Sequence, residues 1–213
     1  MSLHIIEETD DVNTFICYLP NFLKDIDRLS KLKWLSQMDD FIPSKSYNGN
    51  ITRLQKWYQE DNKYFCNKWE ERHNKWESFN YDKELLDIQK IVQKKINSFN
   101  LEEHGFETPK INSCLINKYR TGYDYIAAHR DTNLSFGEYP TIIGLSLGSP
   151  RNLFFKRIKK YSKINCKDES LQLKLESGSL FIMGGSSQKY YTHEIVKEES
   201  DETRFSLTFR EFI

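Results

Sequence analysis

His129 and Asp131 stand two residues apart in the stretch AAHRDTN, and His193 follows much later in YYTHEIV. In extended backbone, residues i and i+2 project to the same side, so the first two side chains can address one point in space. Two imidazoles and one carboxylate make the facial triad that holds non-heme Fe(II) while leaving coordination positions open for substrates and oxygen. Taken alone, a His-x-Asp pair reads equally as a surface ion pair or a turn, and a lone histidine as a hydrogen-bonded core residue. The three together are what point to a metal centre.

The segment RFSLTFREF supplies a second set. Read alternately, Phe205, Leu207 and Phe209 share one face of a strand, and Arg204, Ser206, Thr208 and Arg210 share the other. Arg204 and Arg210 would stand about 20 Å apart along an ideal strand. Their long side chains can therefore converge from opposite ends on a small dianion. A guanidinium matches a carboxylate with two parallel charge-assisted hydrogen bonds, which suits a dicarboxylate. Asn117 and Tyr119 in LINKY repeat the pattern, with two polar side chains on one face of an otherwise apolar run. A solvated face is the alternative for both strands. Coincidence with the metal set favours the inward reading.

These residues must be positioned by a scaffold. Helical spacing predicts a helix over 21–38, with Phe22, Ile26, Leu29, Leu32 and Leu35 at steps of three and four. A second is predicted over 82–98, with Leu85, Ile88, Val92 and Ile96. Between them, ITRLQKWY and KYFC flank the polar turn QEDN and suggest a short hairpin. From about 111 the chain breaks into short β-branched and aromatic runs, INSCLINKY, TIIGLSLG, NLFFKRI, LQLKLE, SLFIMG and RFSLTF, separated by TG, GSP, ESG and GGSS. That rhythm belongs to a jelly roll. The expected fold is α+β and β-rich, a jelly-roll core over 111–213 with helices gathered outside it. Residues 1–47 are read as adding a helix and little else.

The chain has 213 residues, enough for one sizeable domain, and equal numbers of basic and acidic residues, 31 each. No global field draws it to nucleic acid or membrane, so any such attraction must be local. The cysteines, Cys17, Cys66, Cys114 and Cys166, form no CxxC pair, and the start MSLHIIEETDDVNTF has acids where a signal peptide has bases. The expectation is a soluble intracellular monomer that does not engage membranes.

In order along the chain, LINKYRTGYDYIAAHRD, SLGSPRNLFFK, SGSLFIMGG, YYTHEI and RFSLTFR resemble the AlkB family of Fe(II)- and 2-oxoglutarate-dependent dioxygenases. The match runs from about 48 to the end and is strongest from 115. The resemblance implies a double-stranded β-helix in which His129, Asp131 and His193 bind iron. It implies that Arg204 and Tyr119 take the distal carboxylate of 2-oxoglutarate and that Arg210 and Asn117 steady the chelating end. Ser206 belongs to this co-substrate set, at a position where the family commonly carries asparagine. With molecular oxygen, decarboxylation of the keto acid to succinate supports hydroxylation of a C–H bond, and a hydroxylated N-methyl group departs as formaldehyde.

Family members typically act on N-methylated bases in DNA or RNA extruded from their stack. The resemblance places a nucleotide-recognition lid in residues 1–110, with Arg53, Gln55 and Tyr64 at its contacts. Arg151 to Lys167 carries seven basic residues and no acidic one, a strip able to follow a phosphate backbone. Asn133 stands where DNA-repairing members usually carry an acid suited to a cationic base. Two further readings compete: the same chemistry on a protein or small molecule, and a catalytically silent binding module. The intact set of His129, Asp131, His193, Arg204 and Arg210 argues against the silent module.

Overall fold

A computed structural model of the chain describes residues 3–8, 11–46, 49–59, 78–161 and 170–213. Its strands form two antiparallel sheets. The larger runs in the order β1 (His4–Ile6), β2 (Thr14–Leu19), β10 (Leu180–Gly185), β7 (Ile142–Gly148), β12 (Arg204–Arg210), β5 (Ser113–Tyr119), β4 (Gly49–Gln59) and β3 (Ile42–Ser46). The smaller runs β6 (Ile126–His129), β11 (Tyr191–Ile195), β8 (Arg151–Arg157) and β9 (Ser170–Leu175). The jelly-roll expectation is met, with strands passing back and forth between two facing sheets.

The alternation of side chains divides the interior into two layers. On the outer side of the larger sheet, Ile116 of β5, Leu145 and Leu147 of β7, Ile182 of β10 and Phe205, Leu207 and Phe209 of β12 form one core with the helices. Between the sheets, Phe181 and Met183 of β10 meet Leu153 and Phe155 of β8 and Tyr191 and Ile195 of β11. Phe155 stacks on Tyr191 with ring centroids 4.4 Å apart.

The two helices lie on the outer side. The second, α2 (Lys83–Asn97), matches its expected bounds closely and buries Leu85, Ile88, Val92 and Ile96. Asp82 caps it, its carboxylate accepting from the Leu85 N–H at 2.8 Å, and Lys94 and Lys95 complement the dipole at the other end. The first, α1 (Asp25–Ser36), is shorter than expected and only partly buried. Leu35 enters the core, and Phe22, Leu32 and Trp34 pack against it. Ile26 and Leu29 stay 85% and 63% exposed, so spacing alone overstated the buried face.

Residues 1–47 hold more than a helix. β2 sits inside the larger sheet between β1 and β10, and β3 forms its far edge. β4 pairs with the preceding β3 and with β5. The second arm of the expected hairpin, KYFC, lies outside the described residues.

The inner face of the larger sheet carries a polar row. Gln55 of β4 stands opposite Asn117 of β5, Asn117 opposite Ser206 of β12, and Ser206 opposite Ser146 of β7. A sheet covered on both sides gains nothing from such a row unless something hydrogen-bonds to it. Gly148 fixes the neighbouring register. It has φ +93°, and a Cβ there would stand 2.4 Å from the Thr203 carbonyl oxygen. Ser149 donates its N–H to that same oxygen at 3.0 Å, which seats Arg204 opposite Gly148 and Tyr119.

Candidate metal and co-substrate site

His129 ends β6 and His193 lies in the middle of β11, directly across from it. Their rings are 4.1 Å apart between centroids. Asp131 falls in the loop just after β6, and ligand atoms of the three residues lie within 4.8 Å of one another. Asp131 Oδ1 is 3.6 Å from His129 Nε2 and 4.0 Å from His193 Nε2.

The protonation states suit a divalent cation. His129 Nδ1 lies 2.9 Å from the Ala127 carbonyl oxygen. A carbonyl only accepts, so Nδ1 carries the proton and Nε2 offers its lone pair. For His193, burial together with the His129 imidazole pushes the pKa down to about 3, which keeps that ring neutral. For Asp131, burial opposes ionisation, but the Arg210 guanidinium outweighs it and holds the carboxyl far below the usual range. Two neutral imidazoles and an ionised carboxylate are the states a metal requires.

Asp131 is held from both sides. Arg210 Nε and Nη2 each approach Oδ2 at 2.7 Å, leaving Oδ1 turned to the imidazoles. The Asp131 N–H donates to Gln188 Oε1 at 2.7 Å.

The polar face of the last strand is turned inward. Arg204 is 2% exposed, and its Nη2 donates to Ser146 Oγ at 2.9 Å. The guanidinium carbon lies 4.9 Å from the centre of the Tyr119 ring. The Tyr119 side chain also acts as a hydrogen-bond partner of this guanidinium, yet Nε and Nη1 are buried and meet no acceptor in good geometry among the described residues. A guanidinium so buried is expensive to leave short of acceptors, and a carboxylate placed off its end could accept from Nη1 and from the second N–H of Nη2 in parallel. On that observation the residues fit 2-oxoglutarate as well as they fit the metal.

Asn117 is buried, and its Oδ1 accepts from both Arg53 Nε and Gln55 Nε2 at 2.9 Å. Arg53 Nη1 also reaches the Tyr125 carbonyl at 3.4 Å. The structure therefore brings Arg53, Gln55 and Asn117 together beneath β4 and β5, with Gln55 Oε1 buried and unpaired. Ser206 is buried between Asn117 and Ser146 in the strand register. Asn133 opens the short helix α3 (Asn133–Phe136) and is exposed. Tyr64 lies outside the described residues.

The basic run 151–167 is not a continuous cationic face over its described part. Arg151 is buried. It pairs with Glu198 at 3.0 Å and donates through Nη2 to the carbonyls of Gly122, Asp124 and Val196. Arg157 pairs with the buried Glu8 at 2.5 Å and bonds the Tyr191 hydroxyl at 2.7 Å. Lys156 meets Glu194 at 2.8 Å. Lys159 and Lys160 remain exposed, and 162–167 lie outside the described residues. Neutralising acids from distant segments are invisible to a reading of the run by itself.

Three participants escaped the sequence reading. Ser146 is an unremarkable serine until β7 pairs with β12. Arg151 resembles a strip residue until its carbonyl partners are seen, with its guanidinium 5.6 Å from the Tyr119 ring centre. Gln188 sits five positions before His193 with no motif to mark it.

Comparison with known proteins agrees with this geometry. The family model described as the 2OG-Fe(II) oxygenase superfamily matches residues 15–210. The DNA oxidative demethylase ALKBH2 of Arabidopsis thaliana is 29% identical over 153 residues, covering 63% of this chain and 44% of that protein. The alpha-ketoglutarate-dependent dioxygenase alkB homolog 3 of Bos taurus is 38% identical over 104 residues, covering 46% of this chain and 36% of that protein. The chain thus spans less than half the length of these curated relatives. Among solved structures, OsALKBH1 superposes with a TM-score of 0.64 at 17% identity, over 92% of this chain and 97% of that one, a likeness of fold.

Proposed function

The chain belongs to the 2OG-Fe(II) oxygenase superfamily and, within it, to the AlkB family, and from that premise we propose that it is an Fe(II)- and 2-oxoglutarate-dependent dioxygenase that demethylates N-alkylated bases in DNA or RNA. The observation that carries the reading is Arg204, a buried guanidinium with two nitrogens, Nε and Nη1, that meet no acceptor in good geometry among the described residues. It is borne on the strand whose far end, Arg210, grips the carboxylate of a His-Asp-His cluster.

His129 Nε2, His193 and Asp131 Oδ1 would hold the iron, and Arg204 with Tyr119 and Ser146 would hold the distal carboxylate of 2-oxoglutarate. When bound there, iron and 2-oxoglutarate would supply an oxidant from molecular oxygen, one oxygen atom going to the succinate formed with carbon dioxide from the keto acid and the other to the target C–H bond. Arg210 keeps Asp131 ionised and oriented. Asn117, held by Arg53 and Gln55, lies in the polar row beside Ser206, within the co-substrate end of the site. The apolar layer of Phe155, Leu153 and Met183 keeps water from the space between the sheets. The name of the Arabidopsis relative supports a nucleic-acid substrate, with Arg53, Gln55 and Asn133 as candidate base contacts and Lys159 and Lys160 as candidate phosphate contacts.

The test is a panel of single- and double-stranded DNA and RNA oligonucleotides carrying cationic or neutral methylated bases, assayed for formaldehyde and loss of the methyl group. Release with at least one member, abolished in His129→Ala, is expected. Turnover of 2-oxoglutarate with every oligonucleotide left intact would favour a protein or small-molecule substrate. One observation favours that second reading: Arg151 and Arg157 are spent on internal partners, which leaves little cationic surface in the run 151–161.

A further inference from the structure

Asp131 lies beyond the end of β6, so no strand partner is available to its N–H. A half-buried N–H that no strand pairs needs an acceptor, and here the acceptor is a side chain, Gln188 Oε1, at 2.7 Å. Gln188 belongs to the one-turn helix α4 (Ser187–Tyr190) that leads into β11. It is buried, and its Nε2 is turned toward Met183 Sδ at 3.5 Å and Ser187 Oγ at 3.3 Å. The amide orientation follows from the partner, because a backbone N–H can only be met by the oxygen.

We propose that Gln188 is a positioning residue for the metal centre, fixing the Asp131 carboxylate relative to His193. The argument is geometric and rests on the metal site put forward above. The bond joins the two segments that carry the ligands, the loop after β6 and the turn before β11, at a point five residues from His193. Arg210 fixes one carboxylate oxygen from the far strand, and Gln188 fixes the backbone from which the carboxylate hangs. With both in place, Oδ1 has one direction left, toward the two imidazoles. Without Gln188 the Asp131 peptide is free to rotate about its neighbours and take the carboxylate with it, while Arg210 alone constrains only the oxygen it holds. Hydrogen bonds of this supporting kind tune metal affinity by about 10–100-fold.

The experiment compares Gln188→Met, which keeps length and volume but has no acceptor, with Gln188→Glu, which keeps an oxygen at the same reach. Metal-free protein is titrated with Co(II) under argon, followed by the visible absorption of the bound ion, and exchange of the Asp131 amide is read by hydrogen–deuterium exchange without metal. Gln188→Met should bind Co(II) about 10–100-fold more weakly than the unmodified protein and expose the Asp131 amide to exchange. Gln188→Glu should restore both, to within about threefold in affinity. Equal affinity in Gln188→Met and the unmodified protein would overturn the proposal. So would an equal loss in both variants accompanied by a matching fall in Tm, which is the signature of packing alone. Failure of the unmodified protein to bind Co(II) at all would instead remove the metal site itself.

Discussion

Replacing Arg204 with methionine should weaken 2-oxoglutarate binding and, at the same time, leave the ligand-free protein as stable as before or more so. Both effects follow from one side chain. Nε and Nη1 are buried and meet no acceptor in good geometry among the described residues, and Nη2 gives one N–H to Ser146. Two charge-assisted hydrogen bonds to a carboxylate contribute about 1.5–3 kcal/mol each, so their loss amounts to about 3–6 kcal/mol, a fall of about 10²–10⁴-fold in affinity. In the ligand-free protein the same guanidinium has been taken from water with only the Ser146 hydroxyl and the Tyr119 side chain in return. An apolar side chain of similar length relieves that cost, and the expected gain is between zero and about 4 kcal/mol. For a chain of this size each kcal/mol moves Tm by about 2–4 °C. Affinity is measured by calorimetric titration of 2-oxoglutarate into Mn(II)-loaded protein without oxygen, and stability by thermal melts in chelator. An affinity within about threefold of the unmodified protein, or a Tm well below it, would refute the reasoning, because Arg204 would then be a structural group already satisfied by its own fold.

Three further outcomes follow from the same geometry. Arg210→Met should have the opposite sign in stability, since it strips a buried carboxylate of its partner; a loss of about 3–5 kcal/mol is expected in urea unfolding with chelator, together with weaker Co(II) binding. For the metal-free protein, His193 has its pKa near 3 when folded against an ordinary 6.5. Between those values the unfolded chain binds the extra proton, so stability should fall as pH drops below about 6.5, by up to about 1.4 kcal/mol per pH unit, and His193→Asn should flatten that slope. Asp131 adds its own loss of stability only as pH falls below its ordinary value of 3.8, so the His193 slope is read above that, between about pH 4.5 and 6.5. Finally, the double change Lys159→Ala and Lys160→Ala should reduce the slope of log affinity for a single-stranded oligonucleotide against log salt by about 1.4, whereas Arg151→Met should leave that slope alone and lower Tm.

What the sequence made legible was set by periodicity and by the strictness of strand alternation. Residues 204–210 alternate without a break, so the split between Phe205, Leu207 and Phe209 on the helix side and Arg204, Ser206 and Arg210 between the sheets could be read directly. The helix over Lys83–Asn97 was equally plain, because its stripe is regular and Asp82 caps it. The first helix was overread: Ile26 and Leu29 continue the spacing but no described element covers them. β2 was missed because its residues, Thr14–Leu19, are buried on both faces and show no alternation. The basic run was legible as composition but not as surface. A charge is free or spent according to partners such as Glu8 and Glu198, which arrive from far along the chain. Gln188 shows the same limit, as its role depends on a backbone N–H that belongs to another segment.

The measurement that bears most directly on the whole account is optical. Fe(II) added to the protein under argon, followed by 2-oxoglutarate, should produce a weak visible charge-transfer band that needs both additions. The band should be absent in His193→Ala and require far more 2-oxoglutarate in Arg204→Met. No band in the unmodified protein, or an undiminished band in His193→Ala, would contradict a site in which these side chains gather iron and the keto acid together.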